Sequence, residues 1–465
     1  MAVIGRNFRP VVHNERCNTC SVCTGQCPAY VDEGFRNDRG SIRGKVFQTF
    51  AFPPPVMPTP IEESPPPCQV TCPIHQDVRG YIRAVAQKRY SDAVALIRQT
   101  NPLPLVCGYI CPHPCEMECF RGSIDDPVAI RAVKRFVALF EKEEKLKPDP
   151  LNITSTKKVA IVGSGPAGIA AAYKLIQNGV KSIIFEKTSH IGGMLSWAIP
   201  DFRLPRDILK YEISVLKGLG IEFKTHQSLG NNLTISSLKE RGFEAIILAI
   251  GTTQGKKVEL EGAKDFKAHL DCLKILSLVS QGAKTELGKS VAVIGGGNAA
   301  IDTARVLKRS GVDQVTVVYR RPEGQMPADN EEVMEAKSEG ILFRFSSLPT
   351  ALSKNNGHWN LSGFETKSPG RHLPVEVLKD KPFSLPITGI ISAISQVPET
   401  PWAQTEGIVL NPDGTLQVDD AKTSVTGVYG AGDAITGPST VVEAMASGYT
   451  AAEAVLKFLH GDKQN

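Results

Sequence analysis

Apolar residues recur three and four positions apart along Val78–Thr100 and again along Val128–Lys145, the spacing of amphipathic helices. Beyond Thr156 the pattern changes to short apolar runs, each followed by an amphipathic stretch. That alternation predicts strands followed by helices, and hence a parallel α/β architecture. Between residues 53 and 67 no period survives, because PPPVMPTPIEESPPP holds eight prolines and predicts an extended linker. The expected plan is an N-terminal arm over 1–52, the linker over 53–67, a small helical domain over 68–150 and an α/β region from 155 onward.

Two glycine-rich strand-to-helix turns stand 132 residues apart in the α/β region. In the first, the apolar run Val159–Val162 leads into Gly163-Ser164-Gly165-Pro166-Ala167-Gly168, then a helix, then a strand, Ser182–Phe185, that ends on Glu186. The first glycine permits the tight turn, the second lets backbone approach a pyrophosphate, and the third lets helix pack on strand. Unpaired amides at the helix N-terminus receive the phosphates. Glu186, 18 residues beyond Gly168, is placed to accept hydrogen bonds from an adenosine ribose.

In the second turn, Val291–Ile294 leads into Gly295-Gly296-Gly297-Asn298-Ala299-Ala300, and the next strand, Val315–Tyr319, ends on Arg320 and Arg321. A carboxylate there would repel a 2′-phosphate, whereas guanidinium groups bind one, so this turn is expected to favour NADPH over NADH. A solvated basic strand end is the competing reading. Near the C-terminus a strand runs into Gly430-Ala431-Gly432-Asp433, and Thr440 and Val441 open a helix whose positive end can stabilise a reduced flavin ring. The first turn is therefore expected to hold FAD in a discontinuous domain, 155–254 and 385–465, with an NADPH-binding domain, 255–384, inserted into it.

At 465 residues the chain is too long for one core, in keeping with this division. A net charge of +5 spread along the sequence gives no case for nucleic acid. No apolar run reaches the ~20 residues of a membrane span, and the N-terminus lacks a signal peptide's apolar core, so a cytoplasmic protein is expected. Ten of the 11 cysteines fall between Cys17 and Cys119, a clustering that suits metal ligation in a cytosolic enzyme.

Cys17-x2-Cys20-x2-Cys23-x3-Cys27-Pro28 has the ferredoxin spacing for a [4Fe–4S] cluster, with zinc as the alternative. In two-cluster ferredoxins the fourth cysteine serves the other cluster, so Cys27 can belong to either. A second group follows: Cys68-x3-Cys72-Pro73, then Cys107-x3-Cys111-Pro112-x2-Cys115-x3-Cys119. Ten cysteines suffice for two all-cysteine cubanes and fall short of three, so two clusters are expected.

The sequence resembles the two-dinucleotide-binding flavoproteins, and more narrowly the small-subunit family of glutamate synthase. It is similar also to the N-terminal part of dihydropyrimidine dehydrogenase and to the large subunit of NADH-dependent ferredoxin:NADP oxidoreductase. The residues that carry the resemblance are Gly192–Leu195, Ile199-Pro200-Asp201-Phe202-Arg203-Leu204-Pro205, Ala249–Thr252, Gly295–Asp302, Tyr319–Arg321 and Gly430–Asp433. It covers roughly residues 65 to 460. It implies FAD at the first turn and NADPH at the second, with further cofactor-binding candidates at Lys187, Gly193, Leu195, Arg203, Gly251, Thr252, Asn298, Ala299 and Asp302. It implies cluster ligands at Cys68, Cys72, Cys111, Cys115 and Cys119. Two departures stand out: a CxxC before Cys68 is missing, and Lys134 occupies a position where relatives have glutamate or glutamine beside a cluster. Cys107 is either spare or fills the place that Lys134 vacates.

No general base or nucleophile is expected, since His75, His113 and His190 lie in loops without catalytic partners. With clusters and nucleotides occupying the whole chain, no region is left for an organic substrate. The expectation is an electron-transfer subunit that passes electrons between NADP(H), FAD, [4Fe–4S] clusters and a partner redox subunit, as in glutamate synthase or a transhydrogenase, with bifurcation at the flavin left open. The N-terminal arm, with its basic stretch Arg36–Lys45, is the expected docking element; folding back onto its own domain is the alternative. A self-contained flavin-dependent disulfide or small-substrate reductase is the rival class, and for disulfides it needs a CxxC near the nucleotides that the sequence lacks.

Overall fold

The computed structural model describes residues 65–146 and 148–461. The expected arm, with Cys17, Cys20, Cys23, Cys27 and the basic stretch, lies outside the described residues, as does most of the linker. The chain divides into two compact units, Met1–Pro148 and Asp149–Asn465. Among the described residues no helix is long and apolar enough to cross a membrane.

The first unit is helical: α1 (Pro67–Val70), α2 (Val78–Ala86), α3 (Tyr90–Arg98), α4 (Pro104–Ile110), α5 (Pro114–Met117) and α6 (Ile130–Glu143). The stretch Val78–Thr100, expected to be helix-like throughout, is broken at the polar triplet Gln87-Lys88-Arg89. Lys88 takes φ 58°, in the left-handed region, and Arg89 bonds back to Gln87 and on to Asp92, so the two helices fold on each other. Tyr81 and Ala84 of α2 pack there with Ala93, Val94 and Ile97 of α3 and Val137 of α6. A bidentate ion pair, Arg98 Nε to Glu141 Oε1 at 2.5 Å and Nη2 to Oε2 at 2.6 Å, ties α3 to α6. Gly108 brings α4 against α6 so closely that a Cβ there would lie 2.8 Å from the Arg135 Cα.

The second unit holds β1 (Lys158–Val162), β2 (Lys181–Phe185), β3 (Glu222–Lys224), β4 (Ala245–Leu248), β5 (Gln254–Gly255), β6 (His269–Asp271), β7 (Ser290–Ile294), β8 (Gln314–Val318), β9 (Leu342–Arg344), β10 (Ser347–Asn355), β11 (His358–Lys367), β12 (Glu376–Ile387), β13 (Gly389–Ser392), β14 (Gln396–Val397) and β15 (Val428–Gly430). Two five-stranded parallel sheets have the same plan, β15-β4-β1-β2-β3 and β6-β13-β7-β8-β9. Their central strands are buried almost throughout, which is why they read as unbroken apolar runs. The antiparallel sheet β10-β11-β12 belongs to the second lobe, and the chain passes between lobes along the short antiparallel pair β5–β14. β13 is the strand beside β7, so the second lobe runs past Ser392 and beyond the boundary expected at residue 385.

The segment Ile199–Pro205 clasps the lobes together. Phe202 lies under the guanidinium groups of Arg305 and Arg309, 4.5 and 4.0 Å from the ring centroid. Arg203 reaches Asp302 Oδ2 at 2.8 Å and Glu332 Oε1 at 2.9 Å. Glu332 also pairs with Arg305, which in turn holds Glu335 and Glu339. Burial pushes the Asp302 carboxyl up to about 6 against the pull of Arg203, and its Oδ1 has no partner among the described residues. Arg203 is therefore the main compensation for a costly buried carboxylate. Arg203→Ala is expected to destabilise this unit by about 3–5 kcal/mol, as removal of one partner of a buried pair does. Arg203→Lys, keeping the charge but losing the fork, should fall between it and the native protein in urea unfolding.

Candidate cofactor sites

Each parallel sheet reverses direction of strand order at its central strand, β1 in one and β7 in the other, and both glycine turns leave from that point. Such a switch point opens a crevice at the carboxyl ends of the strands. Gly163 (φ 107°) and Gly295 (φ 151°) close the turns so tightly that a Cβ would lie 2.2 Å from the carbonyl oxygens of Ala249 and Ala393 respectively. At the second glycines the opposite holds: a Cβ on Gly165 or Gly297 would meet nothing within 4 Å. The outer face of each turn is thus open for phosphate to approach backbone.

Helices α7 (Pro166–Gln177) and α8 (Asn298–Arg309) start at these glycines with no side-chain cap, so their first amides and positive ends face the same openings. The third glycine, Gly168, packs under the turn, since a Cβ there would sit 2.0 Å from the Gly163 carbonyl. Both turns therefore have the geometry of dinucleotide sites, and FAD and NADP fit their residues.

Around the first turn the structure gathers the candidates Glu186 after β2, Gly251 and Thr252 after β4, and Gly432 and Asp433 after β15, at one sheet edge. Glu186 is buried and already accepts four hydrogen bonds: Ser164 N and Oγ on Oε2, and Thr188 N and Oγ1 on Oε1. Sequence reasoning placed the acid but missed the Ser164 and Thr188 hydroxyls that donate to it. Gly193 abuts Gly165, Leu195 is buried, and Lys187 pairs with Glu399 at 3.0 Å. Thr252 donates to Gln396 Oε1 at 3.2 Å beside the lobe crossing.

Gly432 comes against the first turn of α7, with its amide donating to Ser447 Oγ. Burial raises the Asp433 carboxyl's pKa, opposed by the Ser439 hydroxyl at 2.7 Å. Thr440 caps the helix Val441–Leu459 in a closed box with Glu443, leaving the amides of Val441 and Val442 outside that box.

At the second turn, Asn298 Oδ1 accepts from the Asp329 amide and Gly296 O from Ala328 N, holding the segment 326–329 against the glycines. Ala299 O accepts from Thr303 Oγ1, and Asp302 faces Arg203 as described. The two arginines part company. Arg320 is exposed, while Arg321 is buried with Nη2 donating to the Leu373 carbonyl.

In the helical unit Cys72, Cys107, Cys111 and Cys115 are buried, whereas Cys68 and Cys119 are half-buried. Lys134 on α6, 4% exposed, faces the sulfurs of Cys107, Cys111, Cys72 and Cys115. Burial opposes its charge, yet those thiolates hold its pKa above the ordinary value. The thiols in turn are pushed up by burial, Cys115 to about 12, with Lys134 pulling back. A buried ammonium among buried cysteines needs an anionic neighbour, and a thiolate-ligated iron–sulfur cluster would supply one, so the donor set fits a cubane. Among the described residues no three His, Cys, Asp or Glu side chains converge on a single ion. A cubane takes each thiolate on a separate iron. The loop is fixed from α6: Arg131 N donates to Glu116 Oε1 at 2.6 Å and its Nη1 to Cys111 O at 3.2 Å. Cys272, outside this unit, is buried in the second lobe's core with its thiol pushed up to about 12.

Known families match both parts of the described chain. Residues 157–448 match the pyridine nucleotide-disulphide oxidoreductase family, and residues 62–146 match dihydropyrimidine dehydrogenase domain II, 4Fe-4S cluster. The chain is 32% identical over 421 residues to the glutamate synthase (NADPH) small chain of Escherichia coli strain K12, covering 85% of this chain and 89% of that one. It is 38% identical over 429 residues to the NADP(+)-dependent formate dehydrogenase subunit beta of Moorella thermoacetica, but spans only 60% of that protein's length. FprA of Mycobacterium tuberculosis in complex with NADPH shares the fold, with a TM-score of 0.56 and 18% identity over 66% of this chain and 85% of that one. The chain belongs to the pyridine nucleotide-disulphide oxidoreductase family, and is an oxidoreductase with a 4Fe-4S domain ahead of its nucleotide-binding lobes.

Proposed function

We propose that this chain is the electron-transfer subunit of a larger cytoplasmic oxidoreductase, with FAD in the first lobe, NADP(H) in the second and two [4Fe–4S] clusters toward the N-terminus. The observation that carries the reading is the pairing, in one chain, of two open nucleotide turns with a buried cysteine group around an ammonium. Nicotinamide supplies two electrons as hydride, a cluster accepts one, and a flavin can join the two steps. The protein's own part is to hold and shield. The amides at the start of α7 and α8 hold pyrophosphates, and Arg320 holds a 2′-phosphate. The clasp at Phe202 and Arg203 sets the lobes' relation. Naming of the Moorella relative as a beta subunit and of the Escherichia relative as a small chain supports a partner. A self-contained disulfide reductase is disfavoured, because Cys272 is the one cysteine beyond Cys119 and is buried as a neutral thiol.

Arg320→Ala should weaken NADPH binding by roughly 1.5–3 kcal/mol, the worth of a hydrogen bond to a charged group, and NADH by little. Equal losses for both nucleotides in a binding titration would sink the assignment to NADP. Anaerobically purified chain should contain about eight iron atoms, four for each cubane; about four or about twelve would refute the count. Cofactor-loaded chain should reduce a one-electron dye with NADPH yet leave glutamine, a pyrimidine and a disulfide unchanged until a partner subunit is added. Turnover of any of these by the chain alone would overturn the subunit reading.

A further inference from the structure

Tyr81 lies on α2, is wholly buried, and its hydroxyl has no hydrogen-bond partner among the described residues. Buried tyrosine hydroxyls ordinarily find one, because leaving a polar group desolvated and unpaired is costly. The cluster in which Tyr81 packs explains why none is found: its other members are aliphatic side chains, Val78, Ala84, Ile97, Ile130 and Val137 among them, apart from Cys115 and the partly buried Cys68. A water is a poor candidate, since a buried water needs two to four polar partners. Among the described residues, the other acceptor chemistry in that cluster is sulfur, from Cys115 and Cys68.

We infer that the Tyr81 hydroxyl donates a hydrogen bond to a thiolate or sulfide sulfur of the iron–sulfur cluster held by Cys72, Cys111 and Cys115, and is a tuning residue for its reduction potential. One-electron reduction by the flavin, itself reduced by NADPH, adds one negative charge to the cluster. A donor aimed at sulfur stabilises that added charge more than the oxidised form, raising the potential. The inference rests on the reading that this domain carries a cluster.

The test is a redox titration of the full, cofactor-loaded chain followed by electron paramagnetic resonance, with Tyr81→Phe beside the native protein. Phenylalanine keeps the ring and removes only the unpartnered hydroxyl. Iron content should be unchanged, and one cluster's midpoint should fall by the equivalent of about a tenfold lower equilibrium constant for one-electron reduction, about 59 mV. Unchanged midpoints at full iron would overturn the role of Tyr81. Cys72→Ser with Cys111→Ser should abolish the signal whose midpoint moves. If that pair leaves iron and spectrum intact, the cluster reading itself fails, a distinct result. Should Tyr81→Phe load poorly, double-resonance spectra of the reduced native protein in H2O and D2O carry the test: a strongly coupled exchangeable proton is expected at this cluster, and its absence overturns the inference.

Discussion

Both nucleotide turns depend on one steric fact, the contact between a glycine and the carbonyl that ends the neighbouring strand. Any side chain at residue 163 would collide with Ala249 O, and any at 295 with Ala393 O. The collision would force β1 from β4, or β7 from β13, and those are the pairs on which each sheet's strand order reverses. The crevice, the uncapped helix start and the segments after β4 and β15 are all placed by that contact. A single atom's worth of space therefore governs the first lobe's whole ligand edge.

What was legible in the sequence follows from what is local. Strands buried on both faces show as apolar runs, so β1, β2, β7 and β8 were bounded to within a residue. β13 was assigned to the wrong side of a boundary because Gly389-Ile390-Ile391-Ser392 would suit either sheet, and only its pairing with β6 and β7 decides. Arg203, Asp302 and Glu332 lie 99 and 129 residues apart, and nothing local announces their meeting. Arg320 and Arg321 looked equivalent, although neighbours along extended chain face opposite ways, a signal that was available. Tyr81 was hidden for a different reason: an amphipathic helix needs apolar positions there, and a tyrosine ring satisfies the pattern while its hydroxyl does not.

The helical unit reverses the usual logic of a small core. Its centre is built around polar atoms, an ammonium, thiols and a phenol, that bury poorly by themselves. Apolar packing between α2, α3 and α6 and the Arg98–Glu141 pair hold the frame, while Gly108 and Arg131 bring the cysteine-bearing segments onto α6. Much of this unit's stability should then depend on what its cysteines hold.

The crossing between lobes has a separate consequence. Gly255 pairs with Gln396 and Gln254 with Val397, so the chain leaves the first lobe and re-enters it at adjacent points, about 5 Å apart across a β-ladder. Two ends so close could be joined by a tight turn, which makes the second lobe an excisable cassette. A lobe with different nucleotide preference can be grafted at β5 and β14 without redrawing the first lobe, provided that it brings its own cations for the Phe202 ring and carboxylates for Arg203.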